Sequence, residues 1–364
     1  MKDKKATLKD IAAEAEVSLS TVHKALYNKP GISERVRKEI LAIAEGMGYK
    51  TNYVASSLKR KLLKIAFVVP LPNSGTNRYY YRDIWKGMRA FQAEAAEFNI
   101  EILDFGFSGP LSNLPKHLEE VYQNHCDEIS GLVTLAVEDP AFTYFIDQFS
   151  KRSVPAVFIV SDLPQAKRLC CVRAQDLMAG SLAAELISGF TANKGKALVV
   201  SGDIMVSTHY MNVTGFEQYF AKAQDRMDII KIYNRRDPEH LYYELVELLR
   251  SDPEISAIYS CTATNTPPVC KAVLDAGRTG TIKVIGSDLF QESREMLLSD
   301  VLQAIIYKKP FKLGYLGCRT LFNFLVKNEF PRSDSIFIEP IIVLKSNLPF
   351  YERDITADNA YETI

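Results

Sequence analysis

The chain has 364 residues, with 44 Lys+Arg balanced by 44 Asp+Glu, 47% hydrophobic residues and 24% charged residues. These fractions belong to a folded globular protein and exclude a disordered, collagen-like or low-complexity chain, and the length predicts two or three domains. Six cysteines without a CxxC support neither a disulfide framework nor a zinc ribbon, and no apolar run has the length of a membrane span or of a secretory signal, so a cytoplasmic protein with reduced thiols is expected.

The balanced charge hides an asymmetry. Residues 1–64 carry 14 Lys+Arg and 7 Asp+Glu, and the remainder carries 30 and 37. A basic head on an acidic body points to a polyanionic partner for the head, the alternative being a basic but inert terminus.

In chain order, Thr7-Leu8-Lys9-Asp10 fits a capping box, opening a helix whose apolar face is Ile11, Ala12 and Ala15. Ser18 can cap a second short helix from Leu19 to about Tyr27, with Val22, Ala25 and Leu26 inward. Asn28-Lys29-Pro30-Gly31 breaks the chain, and Ser33 caps a third helix ending near Gly46 to Gly48. Three short helices, the first two joined by a tight turn, match a helix-turn-helix; a generic three-helix bundle is the alternative. The second helix favours the former, because its outward positions Leu19, Ser20, His23 and Lys24 include short polar or donor side chains that suit a major groove.

Beyond Arg60-Lys61 the pattern changes. Apolar strand runs are expected at 64–70, 100–105, 131–136, 156–160, 197–201, 229–233, 257–261 and 283–286. Amphipathic helices are expected between most of them, at 82–98, 141–151, 176–190, 211–223, 239–250, 269–276 and 312–327. Strands without polar alternation, interleaved with helices, predict buried parallel sheets, and this much chain predicts two lobes.

The run Thr7-Leu8-Lys9-Asp10-Ile11-Ala12, then Val17-Ser18-Leu19-Ser20-Thr21-Val22, Ala25-Leu26, Lys29-Pro30-Gly31-Ile32-Ser33 and Gly48-Tyr49 resembles the head of lac repressor family transcription regulators. Asn52-Tyr53-Val54-Ala55-Ser56-Ser57-Leu58 resembles that family's hinge helix, and the body resembles its effector domain, which is similar to periplasmic sugar-binding proteins. The resemblance implies an α/β protein with a helix-turn-helix head at 1–51, a hinge at 52–63, a two-lobed ligand-binding and dimerising body at 64–348 and a polar tail at 349–364. It also implies a cleft between the lobes at the carboxyl ends of the strands. Asp162 and Asp288 close apolar strands near expected crossovers, which places one lobe at about 64–161 plus 290–310 and the other between and after these segments.

In the head, the resemblance places Leu19, Ser20 and Lys24 at base-reading positions and Lys9, Ser18 and Thr21 at phosphate contacts. His23 and Tyr27 depart from the family's usual Ser and Asn but can still donate to phosphate. Leu58 matches the leucine that wedges into the minor groove, and Lys59 and Arg60 offset the Arg that Ser56 replaces. In the body, the resemblance draws Tyr80 and Tyr81, Asp162, Tyr210, Asn265, Asp288 and Lys308 to the ligand. The tyrosines suit stacking on a sugar, and the carboxylates suit hydroxyl donors, with a helix cap or turn as the plainer role for each Asp. Tyr210 stands where the family has a sugar-binding Arg, Asn265 is the nearest amide to a lost Asn-Asp pair, and Lys308 replaces a Gln. A gained Lys and a lost Arg point to an acidic or phosphorylated sugar, unless Lys308 is simply solvated.

No GxGxxG, P-loop, GxSxG or HExxH occurs, and the five His show no ligand spacing, so no enzyme, metal or cofactor is expected. The expected protein is a regulator, most often a repressor in this family, that binds a pseudo-palindromic operator as a homodimer under control of a carbohydrate effector. The alternatives are a periplasmic-type solute receptor, or a regulator whose body only dimerises or docks a protein. Whether the effector releases or recruits the regulator stays open.

Overall fold

The computed structural model describes residues 6–49, 61–72, 75–222, 227–233 and 237–351. The head holds three helices, α1 (Leu8–Glu14), α2 (Leu19–Leu26) and α3 (Glu34–Gly46). Each start is fixed by a side-chain cap from Thr7, Ser18 or Ser33 that accepts a bond from an otherwise unpaired amide of the first turn. Ile11, Val22 and Ile40 are fully buried and seal the three helices together.

The body comprises two six-stranded sheets. The first has the order β11-β5-β4-β3-β1-β2, from β1 (Leu63–Val68), β2 (Ile100–Asp104), β3 (Gly131–Thr134), β4 (Ala156–Ile159), β5 (Cys170–Ala174) and β11 (Ser335–Ile338). The second has the order β12-β10-β9-β8-β6-β7, from β6 (Lys196–Ser201), β7 (Asp228–Tyr233), β8 (Ile255–Ser260), β9 (Lys283–Ser287), β10 (Ala304–Tyr307) and β12 (Ile341–Val343). All pairings are parallel except β10 with β12. Helices α4 (Tyr81–Glu94), α5 (Leu114–His125), α6 (Pro140–Lys151) and α12 (Pro310–Lys327) accompany the first sheet. Helices α7 (Asp176–Thr191), α8 (Ser207–Lys222), α9 (Pro238–Ser251), α10 (Thr266–Asp275) and α11 (Gln291–Leu298) accompany the second.

The apolar strands are buried on both faces. In β6, Leu198 and Val200 enter one core while Ala197 and Val199 enter the other. That arrangement is the physical reason the sequence there lacks polar alternation.

The chain crosses between lobes three times, at 174–176, 307–310 and 338–341. This corrects the expected lobe bounds. Asp162 follows β4, and the chain stays in the first sheet for β5 before it crosses. The segment 290–310 belongs to the second lobe, and the returning segment is α12 with β11.

Each lobe contains one helix pair crossing at glycines. A Cβ on Gly87 of α4 would lie 2.0 Å from the Phe311 carbonyl oxygen of α12, and one on Gly314 of α12 equally close to that of Ile84. In the second lobe, a Cβ on Gly180 of α7 would meet the Asn212 carbonyl oxygen of α8 at 1.9 Å, and one on Gly215 that of Leu177 at 1.9 Å. Only glycine allows this backbone approach.

Candidate functional site

The head presents α2 at its surface. Ser18, Leu19, Ser20 and, on α1, Lys9 are exposed, whereas Thr21, His23, Lys24 and Tyr27 are half-buried. Leu19 is 46% exposed, an apolar side chain outside the core that takes Val22, Ala25 and Leu26 of the same helix. The Ser18 hydroxyl accepts from the Thr21 amide at 3.1 Å and pairs with the Thr21 hydroxyl at 2.9 Å. His23 and Tyr27, one turn apart, stack with ring centroids 4.4 Å apart. Burial and the nearby Lys29 charge lower the His23 pKa and favour the neutral ring. The Lys24 ammonium lies 3.2 Å from where a Cβ would stand on Gly31, so its side chain leans across the loop that follows the helix.

Sequence reasoning missed Arg37. Its guanidinium donates to the Lys24 and Lys29 carbonyl oxygens at 3.0 and 2.7 Å and more weakly to that of Ala25 at 3.4 Å. A cation thereby caps the C-terminus of α2, where orphan carbonyls and the negative end of the helix dipole lie. The available signal was an Arg one turn into α3 in an otherwise apolar face. Leu58, Lys59 and Arg60 lie outside the described residues.

Between the lobes lies a cavity of about 250 Å³. Its walls come from chain just beyond the carboxyl ends of β1, β3, β4, β5, β8, β9 and β10, which is where open α/β sheets place ligands. Tyr80, Tyr81, Asp288 and Lys308 line it as the sequence reading expected. Tyr80 and Tyr81 meet edge to face at 5.6 Å, and burial raises the pKa of both hydroxyls, keeping them protonated. The neighbouring Trp85 is a core residue whose ring nitrogen donates to the Pro70 carbonyl oxygen at 2.8 Å, steadying one wall.

Three expected residues do not line the cavity. Asp162 is held by a buried two-pronged ion pair with Arg168, at 2.5 and 2.7 Å. Arg168 was the missed signal: six residues past a strand-ending Asp, it pairs with it in the same loop. Tyr210 is 54% exposed on α8, and Asn265 is buried at the start of α10 behind Thr262 to Thr264.

In their place stand Asp176, His209 and Asn212. Asp176 opens α7, and its Oδ1 accepts from Asn212 Nδ2 at 2.9 Å. Asn212 Oδ1 in turn accepts from the buried Tyr259 hydroxyl at 2.8 Å. Burial pushes Asp176 up to about 6, against the opposing pull of the Lys308 charge and the Asn212 bond. His209, whose Nδ1 lies 3.0 Å from the Asp203 carbonyl oxygen, is pushed down by burial to about 4 and is neutral at pH 7.

Lys308 is not a solvated cation. Its side chain is 8% exposed, and its Nζ lies 3.3 Å from Asp288 Oδ2 and donates to the Cys261 carbonyl oxygen at 3.1 Å. Burial alone would lower its pKa, but Asp288 and Asp176 outweigh that and raise it. Asp288 adopts a left-handed backbone, φ 63°, an uncommon conformation for this residue type that the surroundings enforce. The cavity therefore contains two carboxylates and one internally paired ammonium, with no unpaired cation among its described lining residues. Among the described residues no helix is long and apolar enough to cross a membrane, and no cluster has the ligands for a metal ion.

Comparisons with known proteins agree with this architecture. Residues 7–52 match the model for bacterial regulatory proteins of the lacI family, and residues 65–329 match a periplasmic binding protein domain. The chain is 24% identical over 349 residues to the ribose operon repressor of Haemophilus influenzae, covering 94% of this chain and 98% of that one. It is 24% identical over 223 residues to the sucrose operon repressor of Streptococcus mutans, covering 60% and 63%. Among solved structures, a glucose-galactose binding protein from Geobacillus stearothermophilus superposes with a TM-score of 0.69 at 20% identity, covering 80% of this chain and all of that one. A solute binding protein from Actinobacillus succinogenes with bound D-allose gives 0.69 at 18%, covering 79% and all of it. With its capped recognition helix and two-lobed body, the chain is a DNA-binding transcriptional regulator of the lacI family, built on a periplasmic binding protein domain.

Proposed function

We propose that this regulator binds a pseudo-palindromic operator as a homodimer in the cytoplasm, and that an uncharged, polyhydroxylated ring bound between the lobes sets its operator affinity without being chemically changed. The observation that carries the ligand class is the paired Lys308. An acidic or phosphorylated sugar needs an available cation, and here the ammonium is neutralised by Asp288 within the cavity wall. The remaining groups suit a neutral sugar: Asp176 and Asp288 accept from hydroxyls, Asn212 orients Asp176, and Tyr80 and Tyr81 offer ring faces. A cavity of about 250 Å³ sits near the low end of ligand pockets, about 300–1,000 Å³, and fits one small ring. The ribose repressor among the relatives and the D-allose complex among the solved structures are in keeping with that size.

In the DNA-bound arrangement, Leu19, Ser20 and Lys24 face base edges, while Lys9, Ser18, Thr21, His23 and Tyr27 meet phosphates. Leu58, Lys59 and Arg60, outside the described residues, complete the contact at the minor groove and its flanking phosphates. A ligand shifts DNA affinity only as far as it prefers one lobe arrangement, typically ~1–3 kcal/mol.

A thermal-shift screen of neutral, uronic and phosphorylated monosaccharides tests the reading. A neutral sugar should stabilise the parent protein and lose its effect in Asp176→Ala and Asp288→Ala. Stabilisation by uronic or phosphorylated sugars alone would overturn the ligand class. Sedimentation with operator present tests the dimer, and a monomer at micromolar concentration would refute it.

A further inference from the structure

The run Asn77-Arg78-Tyr79-Tyr80-Tyr81 does two things at once. Asn77, Tyr80 and Tyr81 face the cavity, whereas Arg78 and Tyr79 face the opposite lobe at the rim. Arg78 Nη2 donates to Glu292 Oε1 at 2.8 Å and to the Tyr79 hydroxyl at 2.8 Å. The Arg78 guanidinium also lies over the Tyr79 ring, 4.7 Å from its centroid. The Tyr79 ring rests on Phe290 at 4.6 Å. Phe290 and Glu292 belong to the start of α11, in the second lobe, and the five-residue run leads into α4 and ends on its first residue, in the first.

We infer that Arg78 and Tyr79, seated on Glu292 and Phe290, form an interlobe clasp that positions the Tyr80–Tyr81 wall and favours the closed arrangement of the cleft. The clasp shares its backbone with the wall, so displacing Arg78 and Tyr79 carries Tyr80 and Tyr81 away from Asp288 and Lys308. Ligand binding and lobe closure thus act on one segment. If only the closed form binds well, the clasp raises apparent affinity by raising the closed fraction. The contact is half-exposed, with side-chain accessibilities of 48% for Arg78 and 37% for Glu292. It therefore biases the lobe equilibrium without locking it. Arg82, Asp83, Lys86, Arg294 and Glu295 line the adjoining groove, so the clasp is embedded in charges of both signs and is screened by salt. The inference rests on the interlobe cavity being the ligand site, but its test requires no ligand.

The test measures how often the lobes approach in the purified full-length protein. Cysteines introduced by Arg82→Cys and Gln291→Cys, on opposite walls of that groove, are bridged by a short bis-maleimide in a Cys126→Ala background, since the other five cysteines are buried. The bridging rate should fall about two- to fivefold in Arg78→Glu and in Glu292→Arg, as expected for a half-exposed ion pair. It should return to the parent rate in the double reversal Arg78→Glu/Glu292→Arg. Neutral Arg78→Gln and Glu292→Gln should slow it in the same direction. Equal rates in all backgrounds, or a double reversal as slow as the single variants, would overturn the clasp. A failed sugar screen with a rescued bridging rate would reject the ligand class and leave the clasp standing.

Discussion

Lys308 and Asp288 hold each other at two points: the Lys308 backbone amide donates to one Asp288 carboxylate oxygen at 3.1 Å, and its Nζ lies 3.3 Å from the other. They follow the neighbouring strands β10 and β9, so the sheet register itself brings them together. A buried pair of this kind contributes little net stability, but removal of one partner leaves a buried, uncompensated charge. Lys308→Ala should therefore lower unfolding free energy by ~3–5 kcal/mol in urea titration. The paired replacement Lys308→Met/Asp288→Asn should lose markedly less. Equal losses would show that an uncompensated Asp288 charge is not what destabilises the single variant.

Asp176 makes stability depend on pH. Its carboxyl titrates near 6 in the folded protein, against about 4 in an unfolded chain. The folded state thus retains the proton to higher pH, and the penalty for ionising it grows as pH rises from about 4 to about 6, levelling above that. Two units correspond to about 3 kcal/mol. Asp176→Asn should gain stability relative to the parent across that window by up to this amount, measured by chemical denaturation at pH 4.5, 6 and 7.5. A difference that does not change with pH would refute the assignment.

Gly180 couples packing to the cavity. A Cβ there would collide with the Asn212 carbonyl oxygen, and Asn212 carries the bond to Asp176. Gly180→Ala should force α7 and α8 apart at a cost of ~1–3 kcal/mol, the usual range for overpacking. It should also weaken binding of any stabilising sugar. Thermal shift with and without that sugar separates the two effects; unaltered sugar stabilisation in this variant would show that Asn212 does not serve the site.

Arg37→Ala should loosen the head alone. It removes charged hydrogen bonds to the carbonyl oxygens that close α2, worth ~1.5–3 kcal/mol. Calorimetry should show the head transition lowered and the body transition unchanged, with operator affinity reduced at every salt concentration. A body transition that moves in step would mean that the two parts unfold as one.

The head was legible to the residue because its signals are local. Thr7 and Asp10 exchange both capping bonds, and Ser18 and Ser33 cap as their spacing predicts. The central strands were legible because burial on both faces leaves an unbroken apolar run, as in β6 and β1. Strand β5 was missed: Cys170-Cys171-Val172-Arg173-Ala174 contains a charge, which the fold accommodates by laying the Arg173 guanidinium over the Phe337 ring of β11. That omission moved the first crossover to Asp162 and hid Asp176 from the list of cavity residues. The pairings Asp162–Arg168 and Lys308–Asp288 were not legible either. The first depends on how a loop folds, and the second joins residues 20 positions apart through sheet order.

Two of the three crossovers carry a cavity charge. Asp176 ends the first and Lys308 lies within the second, beside Lys309 in a left-handed turn of φ 55°; the third, through Glu339-Pro340, does not reach the cavity. A ligand that touches Asp176 and Lys308 presses on the pivot and not on the lips of the cleft. The lobes then behave as long levers worked from a short arm, so a fraction of an ångström at the axle becomes a larger swing at their outer ends. If the effector sits in this cavity, the sensor and the joint are the same few residues, and a change of ligand preference at these two positions also retunes the mechanical response.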